Sequence, residues 1–274
     1  MNNFLFRYRY YLARRMTQII VLGTYFLANF YGYKIVIGNL SSSVVFGFIP
    51  LSDPFATLQM FFAGAVISAD ILLGDLVVLF FYCIIVGRFF CSWVCPVNII
   101  TETAAAIRRK LGLYDKADAL FSRNIRYWFI IITLILSFIF SLGAFDMISP
   151  IGIAHRGIIF GFGFGWFFLV AIFLFDLFSQ KYGWCGHICP LGGFNTLVGK
   201  YSLLKVEHDA DKCVHSLECF SVCPEVEILE AVGKKSHVIT GAACIKCARC
   251  IEVCESGAFK VSVVSLAKQL KEGA

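Results

Sequence analysis

Two segments of one form, Cys91-Ser-Trp-Val-Cys95-Pro96 and Cys185-Gly-His-Ile-Cys189-Pro190, each follow a long apolar run. Thiols four residues apart share a face if the segment is helical. Folding two similar halves together would bring Cys91, Cys95, Cys185 and Cys189 to one place, where they could hold a cluster or cycle as dithiols. Two separate structural turns are the third reading of the same residues, and the three stay open at this point.

The sharpest pattern is Cys244-Ile-Lys-Cys247-Ala-Arg-Cys250-Ile-Glu-Val-Cys254. In this rhythm three thiolates wrap one iron–sulfur cluster from a tight loop, and the fourth reaches the other cluster of a two-cluster ferredoxin. Zinc also takes four cysteines, but a partner motif of the same rhythm favours iron and sulfur. That partner is Cys213-Val-His-Ser216-Leu-Glu-Cys219-Phe-Ser-Val-Cys223-Pro224, with Ser216 where the second cysteine belongs. Crossed ligation then gives one complete [4Fe-4S] set, Cys244, Cys247, Cys250 and Cys223, and one of three thiols, Cys213, Cys219 and Cys254. The vacant corner at Ser216 allows a [3Fe-4S] cluster, a [4Fe-4S] cluster with Ser216 or an outside ligand, or an empty site. His208 and His215 lie near that gap and carry possible nitrogen ligands.

The elements around these residues belong to a membrane. Of 274 residues 59% are hydrophobic and 15% charged, too apolar a balance for a soluble domain of this length. A bilayer core needs about 20 apolar helical residues, which predicts spans near 16–38, 69–87, 127–147 and 158–178. Arginines and lysines crowd into 1–15 and 88–126, whereas 39–68 has none and 147–157 has only Arg156. The positive-inside rule then places both termini and both Cys-x3-Cys-Pro segments in the cytoplasm. The same distribution argues against nucleic acid as the partner of the +6 net charge. Of the 12 cysteines, all but Cys83 fall at or beyond the inner span ends, in a reducing compartment where ligation is the better default than disulfides. Arg14-Arg15 before an apolar run has the form of an export signal, but the spans that follow favour a retained helix.

The predicted fold is therefore an α-helical polytopic membrane protein, with four transmembrane helices as two repeated hairpins over 1–200. A small α+β two-cluster ferredoxin-like domain occupies 205–274. Phe55–Ser68 is too short to cross and reads as re-entrant or interfacial, and Val97–Leu111 reads as an amphipathic surface helix. Gly157, Gly161 and Gly165, spaced by four, read as a helix-packing stripe rather than a phosphate loop. Asp75, about 18 Å of helix from Gly87, costs on the order of 2.5–3.5 kcal/mol if charged at depth. It is either interfacial, a proton acceptor, or an interhelical polar contact.

Taken in order, the segments Asp53-Pro54-Phe-Ala-Thr-Leu-Gln59, Gly87-Arg-Phe-Phe-Cys-Ser-Trp-Val-Cys-Pro96, Trp184-Cys-Gly-His-Ile-Cys-Pro190, Cys223-Pro-Glu225 and the final cysteine run resemble the NapH family. These are membrane ferredoxin-type subunits of the quinol dehydrogenase associated with periplasmic nitrate reductases. The resemblance runs over nearly the whole chain and departs from the family pattern at Ser216. It implies a multi-pass protein of the bacterial inner membrane that takes electrons from menaquinol or ubiquinol. It also implies a periplasmic iron–sulfur partner, NapG, feeding a cytochrome and nitrate reductase. Quinol oxidation releases protons, so Asp53, Asp75, Asp146 and His155 toward the outside, and His187 or Glu102 toward the inside, are candidate acceptors. The rival readings are a homologous subunit serving nitrous oxide reductase and a membrane polyferredoxin in metalloenzyme maturation.

Overall fold

A computed structural model describes residues 8–31, 36–113, 122–161 and 163–265. Arg7, Lys34, Lys116 and Phe162, which entered the charge and span reading, lie outside the described residues. Helix α1 (Arg9–Tyr31) is followed by three short antiparallel strands, β1 (Val36–Gly38), β2 (Ser42–Val45) and β3 (Ile49–Ser52). Helices α2 (Pro54–Phe62) and α3 (Ala69–Phe80) come next, and α3 runs on as a π-helical turn over Phe81–Val86. Then follow α4 (Phe89–Trp93), α5 (Val97–Lys110), α6 (Ile125–Phe140), α7 (Ala144–Ile148), α8 (Pro150–Phe160) and α9 (Gly165–Phe178). A second π turn, Trp184–Ile188, leads into α10 (Pro190–Val198). The last part holds β4 (Leu204–His208), α11 (Glu218–Val222), β5 (His237–Ile239), α12 (Arg249–Val253) and β6 (Phe259–Val263), with β4 central between β5 and β6.

The chain forms two compact units. One comprises the chain up to Gln18, Phe80–Val94 and everything from Asn195 on; the other comprises Ile19–Leu79 and Cys95–Phe194. Among the described helices, the continuous stretch Ala69–Val86 is the one long and apolar enough to cross a membrane. Helices α6 and α9 are equally greasy but shorter, about 24 and 21 Å by the helical rise. The apolar run expected to continue to residue 147 stops at Phe140, where Ser141 takes a left-handed φ of 52°. The run expected over 158–178 is likewise divided: α8 ends at Gly161, whose φ of +92° no ordinary helix residue adopts. The glycine stripe is thereby corrected. Gly161 faces open space and acts as a terminator, and Gly165 makes a close contact, since a Cβ there would lie 2.7 Å from Ile153.

Helix α5 also departs from the surface-helix expectation. Its buried face includes Asn98, Thr101, Glu102 and Arg108 as well as Val97, Ala104 and Ala105. Arg108 donates to the carbonyl of Leu177 at 2.7 Å, answering one of the carbonyls left open at the end of α9. A helix with that polar, buried side packs against protein rather than lying on lipid.

The tail-bearing unit has its core in Val206, Leu229, Val232, Ile239 and Phe259, packed with Cys219 and Cys223. Its most consequential contact is Arg88, 2% exposed, which donates through Nη1 to Glu225 Oε1 and to the carbonyl of Ala243, both at 2.9 Å. Glu225 is two residues past Cys223 and Ala243 one before Cys244, so this guanidinium joins the two segments that supply the complete thiol set. Removing one partner of a buried pair costs roughly 3–5 kcal/mol, whereas replacing both by apolar groups costs far less. Arg88→Met is therefore expected to lower thermal stability sharply, and adding Glu225→Leu to recover much of the loss, in detergent melts of the three proteins.

Candidate metal centres

The two cysteine loops of the tail have one backbone form repeated 31 residues apart. His215 and Leu217 flank Ser216 with φ of 56° and 59°; Lys246 and Ala248 flank Cys247 with φ of 56° and 58°. Non-glycine residues avoid this region unless their surroundings impose it. Alternating left- and right-handed residues turn successive N–H groups inward, the nest that receives an anionic cluster. Ser216 therefore occupies the same place in its loop as Cys247 does, and the loop has kept the cluster-binding form without the thiol.

The thiols sort into the two crossed sets. Burial pushes Cys250 up, and the neighbours that push it further are Cys247, Cys244, Cys223 and then Cys219. Cys223 is raised by burial and then by Cys247 and Cys244. Cys219, by contrast, is raised by burial and then feels Cys213 and Cys254. Those last three, with Ser216, border a cavity of about 80 Å³ that also meets Glu218, Glu255 and Ser256. Among the described residues no three His, Cys, Asp or Glu side chains close on a single-ion geometry. Four thiols in one place and three thiols with a hydroxyl in the other are donor sets of the kind that could hold iron–sulfur groups. His215 packs against Gly233, where a Cβ would meet its ring at 2.9 Å, and His208 bonds through Nδ1 to the carbonyl of Lys235.

The first Cys-x3-Cys segment docks on the complete set. Ser92 Oγ donates to the carbonyl of Ile245 at 2.6 Å, and the Trp93 indole donates to the carbonyl of Lys246 at 3.1 Å. Arg14, 1% exposed, lies close enough for its charge to lower Cys247. The arginine pair that has the form of an export signal thus includes a buried neighbour of the cluster loop. Cys91 belongs to this unit and interacts with Arg88.

In the other unit Cys95, Cys185 and Cys189 come together. Burial raises Cys185, and Cys95, Cys189 and Asp176 raise it further; its Sγ also contacts Thr101 Oγ1 at 3.8 Å. The backbone N–H of Gly192 points at Cys189 Sγ at 3.4 Å. Asp176 was not foreseen. It is fully buried and accepts from the N–H of Trp184 at 3.0 Å, holding the first residue of the π turn that carries Cys185. The signal was present: a carboxylate in an apolar run is the observation that singled out Asp75. His187, within the same turn, lies 2.7 Å from Gln180 Nε2 through its Nε2.

Around β1 to β3 and α2, two hydroxyl residues tie three carboxylates together. Ser41 donates to Asp146 at 2.8 Å and accepts the Asp53 N–H through its carbonyl. Thr57 donates to Asp75 at 3.1 Å, which makes Asp75 an interhelical polar contact, and its N–H bonds the carbonyl of Asp53. Asp53 caps α2 through Phe55 N. Burial pushes its carboxyl up to about 7, with Asp146 and Asp75 adding to the rise. His155 stands apart, edge-on to Tyr25 at 5.0 Å and lowered by burial and then by Arg156. Glu102 is 4% exposed on α5.

Comparison with known proteins agrees with these centres. A family model described as a 4Fe-4S binding domain matches twice, over residues 70–114 and 160–206, one copy for each Cys-x3-Cys-Pro half. A model described as a 4Fe-4S dicluster domain matches 205–255. The chain is 36% identical over 259 residues to the ferredoxin-type protein NapH of Haemophilus influenzae, covering 93% of this chain and 90% of that one. NapH of Escherichia coli gives the same identity and coverage, 36%, 93% and 90%. The methylamine utilization ferredoxin-type protein MauN of Methylorubrum extorquens is 40% identical over 223 residues, with coverage of 81% and 77%. No solved structure matches.

Two outcomes follow from this geometry. Cys219→Ala is expected to remove the electron paramagnetic resonance signal of the three-thiol site and leave that of the complete set, while Ser216→Cys yields two four-thiol clusters in the tail. Asp53 binds its proton more tightly in the folded chain, at about 7 against an ordinary 3.8, so stability falls as pH rises from about 4 to about 7 and is level above. Asp53→Asn keeps a cap oxygen and cannot ionise; thermal melts across that pH window are expected to flatten.

Proposed function

The chain belongs to the family of ferredoxin-type proteins that includes NapH and MauN, and from that premise we propose that it is the membrane subunit of a quinol dehydrogenase. In this reading residues 1–200 form a multi-pass part in the bacterial inner membrane with four spans, both termini are cytoplasmic, and 205–274 form the ferredoxin-like part. Menaquinol or ubiquinol is the donor. Electrons leave through the iron–sulfur centres toward a periplasmic iron–sulfur partner of the NapG kind, then a cytochrome and nitrate reductase. The observation that carries the reading is the docking of the first Cys-x3-Cys segment on the loop of the complete thiol set, through Ser92 and Trp93.

The residues would divide the work as follows. Cys244, Cys247, Cys250 and Cys223 hold a [4Fe-4S] group, and Cys213, Cys219, Cys254 and Ser216 hold the second. Such groups supply one-electron steps. Arg88 keeps the two loops in register, and Arg14 offsets the negative charge gathered at Cys247. Cys91, Cys95, Cys185 and Cys189 serve as redox groups or cluster ligands at the inner face, with Asp176 fixing the turn of the second pair and His187 beside it. Asp53, with Asp75 and Asp146 around it and His155 on α8, can take up protons near neutral pH at the outer segment.

A second reading rests on MauN: the same electron carrier serving methylamine utilization in place of nitrate reduction. Deleting the gene and comparing growth on nitrate as acceptor with growth on methylamine separates the two. For the shared premise, purified protein is mixed with a reduced quinol, and cluster reduction is followed by absorbance with and without the periplasmic partner. Reduction is expected in the wild type, and a Cys91→Ser, Cys185→Ser double variant is expected to pass electrons to the partner at least ten times more slowly. A normal rate in that variant would show that the paired thiols are not carriers.

A further inference from the structure

The two cysteine loops of the tail share a backbone form but not an environment. In the loop of the complete set Ile245, Lys246, Cys247 and Ala248 are all buried, none above 9% exposure. Their counterparts Val214, His215, Ser216 and Leu217 are all exposed, Val214 at 70% and Leu217 at 61%. The corner that Ser216 serves therefore opens to solvent, and the corner that Cys247 serves does not. The three thiols of the open site are better covered: Cys219 is buried, and Cys213 and Cys254 are half-buried.

The donors differ as well. A thiolate is a soft anion matched to iron–sulfur groups, whereas a hydroxyl is hard and neutral. In a group held here, three irons are each fastened by a protein sulfur. The fourth has only the sulfides of the group and an oxygen, from Ser216 or from water, so it is both the most weakly held atom and the one that solvent reaches. Charge adds a third difference. Glu218 and Glu255, both exposed, border this cavity, and among the described residues no lysine or arginine does; His215 is the remaining titratable group there besides the thiols. At the complete set Arg14 and Arg249 act on Cys247, and Lys246 lies within the loop. A divalent cation is drawn to the first mouth and repelled from the second.

We propose that the Ser216 corner is an exchange site for ferrous iron, loaded through the mouth that Glu218 and Glu255 border. The assignment rests on the reading of Cys213, Cys219 and Cys254 as ligands of the second centre, and adds that the fourth iron of that centre enters and leaves. In uptake, neutral [3Fe-4S] and Fe2+ combine to give [4Fe-4S] of charge 2+. The charge is the same before and after, no electron moves and no bond to a protein thiolate breaks. The new bonds run from the entering iron to three sulfides of the group and to the corner oxygen, and release is the reverse. The state of this centre thus follows the supply of ferrous iron, while the complete set, closed by Cys247, does not respond to it.

The test uses the full-length protein in detergent with its clusters assembled. Samples are reduced with dithionite, incubated with ferrous iron or with EDTA, desalted, and oxidised with thionine, which takes one electron from neutral [3Fe-4S]. The oxidised three-iron group is paramagnetic and [4Fe-4S] of charge 2+ is not. In the wild type the three-iron resonance is expected to grow with EDTA and to vanish with ferrous iron, in step with one iron atom per chain by iron analysis. Ser216→Cys is expected to show no such resonance after EDTA. The double variant Glu218→Gln, Glu255→Gln, changed at exposed positions, is expected to keep the resonance and to need about three times as much ferrous iron to remove it, as loss of two solvent-screened charges implies. Ser216→Ala separates the two oxygens: an unchanged iron demand assigns water and a raised one assigns Ser216, and exchange stands in both. A wild type that gives no resonance after EDTA, a resonance that ferrous iron leaves untouched, or exchange as ready in Ser216→Cys as in the wild type overturns the site and leaves the second centre in place. An unchanged iron demand in the double variant overturns entry by the acidic mouth. Spectra and iron content unchanged by Cys219→Ala overturn instead the reading of these thiols as ligands.

Discussion

The tail-bearing unit depends on one buried guanidinium. Arg88 is nearly inaccessible to solvent and reaches Glu225 and the carbonyl of Ala243 at the same time. Burying two charges costs several kcal/mol per ion before attraction and hydrogen bonds return it, so the pair is weak support for stability as such. What it fixes is register. Crossed ligation requires Cys223 from one loop to meet Cys244, Cys247 and Cys250 from another, and Arg88 holds the residues adjoining both. Ser92 and Trp93, on the same short helix, then fasten the carbonyls of Ile245 and Lys246. An arginine at the end of an apolar run thus serves the metal centre without touching it.

That arrangement makes Gly87-Arg88 and Cys223-Pro-Glu225, two stretches far apart in the chain, parts of one device. Gly87 is required for a related reason. Its φ is +64°, and a Cβ there would meet Ser202 Oγ at 2.8 Å. Gly199 is its counterpart, since a Cβ on it would stand 2.7 Å from Gly87 Cα. Two backbones pass each other with no room for side chains, and Leu203 N–H bonds the carbonyl of Ile84 beside them. The chain leaving α10 is therefore pinned to the segment leaving the π turn, immediately before β4 begins.

The cysteine sets were legible because thiol spacing encodes loop geometry directly: a tight loop wraps a cluster with ligands separated by two residues, and the next ligand follows after three more. Helix α5 was legible in its bounds, from apolar residues at helical spacing, but its partner was not. The buried Glu102 and Arg108 face protein, and no periodicity distinguishes that from water. The strands β1 to β3 were hidden because Val36–Ser52 mixes apolar and small polar residues with no clear alternation. The breaks at Ser141 and Gly161 were hidden for the opposite reason, since an unbroken apolar run says nothing about where the backbone turns. Arg88, Lys205 and Asp176 escaped because their roles arise from partners distant in sequence or in another element. Only a carboxylate in an apolar run, as at Asp176, announces itself locally.

The charges set around the two tail centres are unequal, and the inequality bears on where an electron rests. Arg14 and Arg249 act on Cys247, Lys205 feels Cys244, and Lys246 lies inside the loop, so four cations surround the complete set. The three-thiol cavity is bordered by Glu218 and Glu255. A reduced cluster carries one more negative charge than an oxidised one, and inside a protein that charge interacts with its neighbours more strongly than in water. Cations beside the complete set favour its reduced form, and carboxylates beside the other disfavour it. Net charge and hydrogen bonds near the sulfurs are among the terms that set cluster potentials, and at the complete set Glu225 beside Cys223 works against the cations. A cluster held by Cys223, Cys244, Cys247 and Cys250 would meet Arg14, Arg249, Lys205 and Lys246 against Glu225, so its reduced form would be better stabilised than that of a cluster beside Glu218 and Glu255.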